Sequence, residues 1–436
     1  MNWFCFFEMI DSYLALPALT LFLAVGIILT FKTRFIQFRS LGRFIRIITA
    51  GPAEDVESGI KTVSPFKALF TAMATTIGMG NMVGPTVAIL MGGPGALFWL
   101  VFYSVISCVT KYGEVSFALH TRDQTSKGQI LGGPAQYLKL VNNGLAHWYG
   151  FVTIFLFAGW SGLQTNTLAE ILVFEGVVPW VTGLSLAAIV LIVLAGGVER
   201  VSSFASKLVP IMFILYVSFA LTILFYDPVA LWAAIKLMFK YAFTPAAPIG
   251  GFIGASLFNA VRIGTHRAAY ITECGVGTSS IAHAFSDVKN ISDQAILAMY
   301  SVFADTFLCL ISGLIVLITG IWQQCGFTST MTYFAFRAYS PYYGKYILVA
   351  SVIFFVITTL IGNTFNGSLS FASYTRYRFM RWYYVFSALV IFFGSMMPVP
   401  LVWKMMDVIL VLVAIPHLIG LLVITWRYPQ MLKEHS

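Results

Sequence analysis

Thr75-Thr76-Ile77-Gly78-Met79-Gly80-Asn81-Met82-Val83-Gly84-Pro85 interrupts an apolar stretch that runs from Phe66 to Leu100. Three glycines, a proline, two threonines and an asparagine are poor choices for a helix that faces lipid. In hydrocarbon every backbone N–H and C=O must be paired internally. Irregular backbone therefore persists only where protein or a polar cavity surrounds it. Broken helices near the bilayer midplane are where membrane carriers hold substrates and ions. A second glycine-interrupted segment, Ala247-Pro248-Ile249-Gly250-Gly251-Phe252-Ile253-Gly254-Ala255, follows in the other half of the chain. Two such segments at matching places predict a binding site between the halves. The spacings Gly80/Gly84 and Gly250/Gly254 also suit close helix packing, and the pattern by itself leaves both readings open.

The 436 residues are 59% hydrophobic and only 10% charged, with a mean hydropathy of +0.85. A soluble domain carries about 25% charged residues. The composition thus excludes a soluble protein and predicts an all-α polytopic membrane protein. An outer-membrane barrel would show short alternating segments, whereas these apolar runs are long and continuous. Eleven runs of about 20 residues, each able to cross as a helix, fall at 14–31, 66–91, 95–120, 147–173, 179–197, 205–226, 247–271, 292–321, 345–371, 383–399 and 402–426. Between them, Arg34, Arg39, Arg43 and Arg46, then Arg122 and Lys139, Arg200, Lys289, Arg376, Arg378 and Arg381 gather on one side. The positive-inside rule makes that side cytoplasmic, with the N-terminus outside and the C-terminus inside. The net charge of +9 then belongs beside anionic lipid, not nucleic acid. Glu8 and Asp11 in place of a basic leader mark the first run as an anchor rather than a cleaved signal. After it, 32–64 alternates bulky apolar and basic residues and suits a helix lying flat at the interface. Five scattered cysteines show neither a disulfide framework nor metal spacing.

Polar residues inside the runs are the candidates for chemistry, because each must face a cavity or a partner. At the break, Thr76, free carbonyls and the Asn81 side-chain oxygen suit a small cation. The amides at Gly78 and Gly80 open a half-helix whose positive end suits a carboxylate. A zwitterionic amino acid uses both kinds of group. Gln164-Thr165-Asn166-Thr167 is a second cluster, in which Gln164 either touches substrate or bonds to a neighbouring helix. Thr358 and Thr359 either complete a cation shell or bond back to their own helix. Glu114, Glu170, Glu273 and Asp305 are acids at or near membrane depth. Lys111 and Glu114, one turn apart, read as an ion pair, and Glu273 reads as paired with Arg267 or Arg262. Asp305 stays open as a proton- or cation-coupling acid. His283, with no partner at metal spacing, reads as a packing or capping residue. There is no P-loop and no catalytic constellation, so the sequence points away from an ATPase or any enzyme and needs no cofactor beyond a coupling ion.

At these residues the chain resembles the alanine or glycine:cation symporter family. The matching blocks are Thr76-Ile77-Gly78-Met79-Gly80-Asn81, GGPGALFW from Gly92, TKYGE from Thr110, LGGPAQYL from Leu131, GLQTNTLAE from Gly162, GGVERVSSFASKLVP from Gly196, GGFIGA from Gly250, ECGVGTSSIAHA from Glu273 and AIPHLI from Ala414. The resemblance implies the LeuT-type five-plus-five inverted repeat, with a broken first helix in each repeat. Residues 1–64 would hold an extra helix and interfacial segment, 65–226 the first repeat, and 227–436 the second repeat and a short tail. It implies a multi-pass protein of the inner membrane that imports a small neutral amino acid with Na+ or H+. Gly78, Gly80 and Asn81 match the family's helix break, Gln164 its glutamine and Thr359 its threonine. Gly254 and Asn363 join the substrate set, and Thr76, Asn81, Thr358 and Thr359 the Na+ set. Asn363 stands where the family has a pocket tryptophan, Met79 where it has threonine, and Thr272 and Cys274 alter its SNEAG. A larger polar amino acid is therefore an alternative substrate. An uncoupled facilitator or channel and an amino-acid sensor are the rival functions, and the oligomeric state is not legible.

Overall fold

A computed structural model describes residues 3–51, 62–125, 128–244, 257–323, 330–339 and 344–434. The first part holds α1 (Trp3–Lys32), the short α2 (Ile36–Arg39), α3 (Leu41–Ala50), α4 (Pro65–Thr76), α5 (Met79–Gly92) and α6 (Gly95–His120). A two-residue hairpin, β1 (Asp123–Gln124) with β2 (Ile130–Leu131), leads to α7 (Pro134–Tyr137). Then come α8 (Asn143–Val173), α9 (Pro179–Leu194), α10 (Gly197–Tyr226) and α11 (Pro228–Phe243). The remainder is α12 (Leu257–Thr272), α13 (Ser279–His283), α14 (Ile291–Thr319), α15 (Met331–Tyr339), α16 (Gly344–Thr375), α17 (Met380–Gly394) and α18 (Val399–Arg427).

Among the described residues six helices are long and apolar enough to cross a membrane, and α4 with α5 makes a seventh if counted as one bent span. The helices α9 and α17 are apolar but shorter. The runs read from the sequence overlap helices, with 66–91 split between α4 and α5; the first part of 247–271, with Gly254 and the second glycine segment, lies outside the described residues. The helix α11 falls in no predicted run. Asp227 starts it by accepting from Val229 N and Ala230 N at 3.1 and 2.9 Å, as an N-cap acid does.

Burial sorts the helices into an inner and an outer set. Every residue of α5 except Met91 is buried, and α6 packs between α12 and α14 while α8 runs along α16. The outer helices α9, α10 and α17 leave Leu184, Ile192, Ile211, Ile214, Leu389 and Phe393 exposed. Such broad apolar exposure is untenable in water and fits a surface covered by lipid. The chain is thus a multi-pass membrane protein. At its edge α3 turns Leu41, Ile45 and Ile48 outward, stacks Phe44 on Tyr300 at 4.3 Å and pairs Arg43 with Asp293 at 2.7 Å. α3 is thus amphipathic, with an apolar face turned outward.

Candidate binding site at the broken helix

Ile77 and Gly78 are extended, and α4 and α5 meet across them at 40°. Two extended residues free the last carbonyls of one helix and the first amides of the next. Side chains satisfy several of these groups. Gly78 N–H donates to Asn81 Oδ1 at 2.9 Å, and Asn81 N–H returns to Gly78 O at 3.1 Å. Met79 N–H donates to Gln164 Oε1 at 3.0 Å. On the other side of the break, the Thr359 hydroxyl donates to Ile77 O at 3.1 Å. Gly78, Asn81, Gln164 and Thr359, far apart in sequence, are therefore brought together.

The two glycine readings separate in space. A Cβ on Gly84 would lie 2.7 Å from Ile271 Cδ1, so Gly84 serves close packing of α5 on α12. A Cβ on Gly80 would meet only Ile271 Cγ1, at 3.9 Å. The three amide bonds above do not use Gly80 N–H, a donor at the positive end of α5.

Other sequence candidates go elsewhere. The Thr358 hydroxyl lies 2.9 and 3.0 Å from Phe355 O and Phe354 O and 3.3 Å from Met212 Sδ of α10. One residue from Thr359 on a helix is 100° around the axis, which turns Thr358 away from the break. Asn363 sits one turn beyond Thr359 on the same face of α16, buried, with no partner for Oδ1. Thr76 is buried beside the break, 3.5 Å from Met73 O and facing Asp305 of α14.

Neither predicted ion pair forms among the described residues. Arg267 does not pair with Glu273; it makes a two-pronged bond with Asp407 of α18, 2.9 Å on each side. Asp407 was the missed residue, and its signal was legible: it is a lone acid within the apolar run 402–426. Glu114 accepts from Gly275 N at 2.8 Å, and no ion pair within 4.0 Å joins it to Lys111 among the described residues. Glu273 accepts from Thr278 at 2.5 Å. The loop Glu273-Cys274-Gly275-Val276-Gly277 carries positive φ at Glu273, Gly275 and Gly277 and ties several helices together. Gly275 O meets His417 Nδ1 at 2.8 Å, Val276 O accepts from Tyr149, and Tyr137 Oη lies 2.6 Å from His417 Nε2. His283 is buried and meets Gln294 at 2.7 Å, a packing role.

The two ends of the bundle differ. At the end holding the starts of α4, α10 and α14, a cavity of about 1480 Å³ opens between Lys67, Glu199, Asp287, Phe365 and Tyr384. At the other end, Glu175 accepts from Tyr333 at 2.6 Å and pairs with Lys345 at 2.9 Å, with Phe174 stacked on Tyr333. Those bonds, from Tyr333 first and Lys345 second, hold the Glu175 carboxyl below the ordinary carboxylate range.

The sequence matches the sodium:alanine symporter family over residues 3–436. It is 32% identical over 420 residues to a protein named sodium/alanine symporter AgcS from Methanococcus maripaludis, across 93% of this chain and 91% of that one. A Bacillus subtilis protein named probable sodium/glutamine symporter GlnT is 27% identical over 429 residues, 96% of this chain and 87% of its own length. Among solved structures, a Na+-coupled sialic acid symporter in a substrate-bound outward-open state aligns with a TM-score of 0.56 at 13% identity. The alignment covers 91% of this chain and 81% of that one. At that identity the likeness speaks for the fold alone.

Proposed function

This chain belongs to the sodium:alanine symporter family, and from that premise we propose that it imports a small neutral amino acid, alanine- or glycine-like, together with Na+. Its family consists of transporters, not enzymes. The observation that carries the substrate reading is the amide of Gly80, in the first turn of a 14-residue helix and outside the three amide bonds made at the break. A substrate carboxylate fits there for the reason anions bind helix N-termini. Ile77 O and the Thr359 hydroxyl offer oxygens to Na+ within the same break, and Thr76 and Asn81 supply others. A cation and a carboxylate bound side by side each reduce the electrostatic cost of burying the other. That shared energy is what couples their movement. Coupling to H+ is the alternative, and the inner membrane with a cytoplasmic C-terminus is the placement that the basic loops favour. The same orientation puts the 1480 Å³ cavity on the cytoplasmic side and the Glu175–Tyr333–Lys345 cluster outside, the arrangement of a carrier open inward.

Thr359→Val keeps the shape of the side chain and removes the hydroxyl. Proteoliposome uptake should then need about tenfold more Na+ for half-maximal rate, the cost of one lost ligand hydrogen bond or contact. Uptake that ignores Na+ and follows an imposed pH gradient would instead establish proton coupling.

A second reading concerns substrate size. Asn363 Oδ1 is buried without a donor, and it lies one turn from Thr359. A buried polar atom left unpaired is costly, and a polar substrate side chain would relieve it. This supports a larger hydroxyl- or amide-bearing amino acid. Asn363→Trp should move preference toward glycine and alanine in competition uptake. Strict alanine/glycine selectivity in the native protein, unchanged by the substitution, would remove Asn363 from the specificity argument.

A further inference from the structure

Between residues 32 and 50 the chain carries five basic residues, Lys32, Arg34, Arg39, Arg43 and Arg46, and no acid. On α3 they stand opposite an apolar face. Leu41, Ile45 and Ile48 recur at i, i+4 and i+7 and are exposed, while the helical period places Arg43 and Arg46 on the other side. Phe35 and Phe38, just before the helix, are exposed as well. Among the described residues two acids answer these charges. Asp293, in the first turn of α14, lies 2.7 Å from Arg43. Glu434 lies 3.4 Å from Arg43 and 3.6 Å from Arg39. Arg34 and Arg46 are exposed. An apolar stripe backed by surplus arginine is the composition of a helix that rests on an anionic membrane surface. Trp426, exposed and with the Lys32 ammonium 3.6 Å above its ring, is the kind of residue that marks such a surface.

Glu434 belongs to a segment that is itself packed. Leu432 is buried, its carbonyl accepts from Tyr112 at 3.5 Å, and the Met431 carbonyl accepts from Ser116. Both donors are on α6, so the segment ties α3 to α6. In turn α3 borders the 1480 Å³ cavity through Ile47 and Ala50. We propose that α3 is a docking surface for anionic phospholipid, whose phosphate competes with Glu434 for Arg39 and Arg43 and so releases residues 428–434 from α6. The geometry of the bonds decides which acid yields. Long, part-exposed ion pairs contribute little, and those of Glu434 are of that kind. The Asp293 bond is short and keeps α3 on α14. Each basic side chain at an anionic surface adds to the attraction, so the cluster as a whole favours lipid over one carboxylate. Released from α6, α3 moves with α14 alone when the cavity closes, and turnover rises with lipid charge. The surface stands without the symporter reading, and only its effect on uptake rests on that reading.

The test follows backbone amide exchange of residues 428–434 in the purified full-length protein, in nanodiscs of phosphatidylcholine with or without phosphatidylglycerol. Exchange should be about tenfold faster in the anionic discs, the effect of losing both Glu434 pairs. Glu434→Gln should exchange fast in either lipid. The double variant Arg34→Gln/Arg46→Gln leaves the Glu434 pairs in place, and should keep exchange slow while weakening the response to phosphatidylglycerol. Equal exchange of wild type in the two lipids overturns the proposal. The same acceleration by soluble glycerol phosphate in phosphatidylcholine also overturns it, and makes the site one for free phosphate. Uptake in proteoliposomes should rise with phosphatidylglycerol in wild type and lose that dependence in Glu434→Gln. Uptake that ignores lipid charge while exchange responds overturns control of transport by this surface. No uptake in any lipid overturns the symporter reading and leaves the exchange result intact.

Discussion

Gly78→Ala should all but abolish transport while leaving a membrane-inserted protein. The backbone of Gly78 is extended, a conformation alanine adopts freely, so the objection is to space alone. A Cβ there would collide with Thr359 Oγ1 and press on Gln164 Nε2 at 3.3 Å. Neither neighbour has slack: Thr359 is held by Ile77 O and Gln164 by Met79 N–H. Overpacking so closely fitted a position costs about 1–3 kcal/mol, or about ten- to a hundredfold in the population of the competent geometry. The double variant Gly78→Ala/Thr359→Ala separates clash from collapse. Removing the hydroxyl should restore thermal stability but not the Na+ response, because the cation loses its threonine. Full uptake in the single variant would mean that the break opens wider than its 40° bend requires.

The fold was largely legible because hydrophobicity in lipid is a one-dimensional code. The described parts of the apolar runs are helical, and glycine and threonine at 75–85 marked the one that is broken. The positions of Asn81, Gln164 and Thr359 at the break were legible for a related reason, since a polar group inside an apolar run must find a partner or a cavity. Which partner it finds is not written locally. Gln164 uses its oxygen on Met79 N–H, 85 residues away, and Arg267 reaches Asp407 across 140 residues instead of its near neighbour Glu273. Thr358 and Thr359 are chemically identical, and only the rotation of α16 decides that one faces Met212 and the other Ile77. The left-handed turn at Glu273 was hidden for a different reason. It is maintained by Glu114, Tyr149 and His417 from three other helices, so no short-range pattern specifies it.

Gln164→Ala should cost substrate affinity roughly ten- to a hundredfold, and the reason refines the site. Gln164 closes the first turn of α5 by accepting from Met79 N–H. Truncation leaves a buried donor without a partner, at about 1–3 kcal/mol. If that were all, the loss would appear in stability and not in binding. The side chain also lies against Gly78, two residues before Gly80, where the carboxylate is proposed to bind, so its amide is placed to orient the ligand as well. Gln164→Glu distinguishes the two roles. It retains an acceptor for Met79 N–H and so should keep its melting temperature. It also sets a negative charge beside the incoming carboxylate and should weaken binding at least as much as alanine does. Binding measured on the purified protein, with melting followed in parallel, reads both. Loss of stability without loss of affinity in Gln164→Ala, together with unimpaired binding in Gln164→Glu, would make Gln164 a helix cap only. The carboxylate would then be left to the Gly80 amide and the dipole of α5.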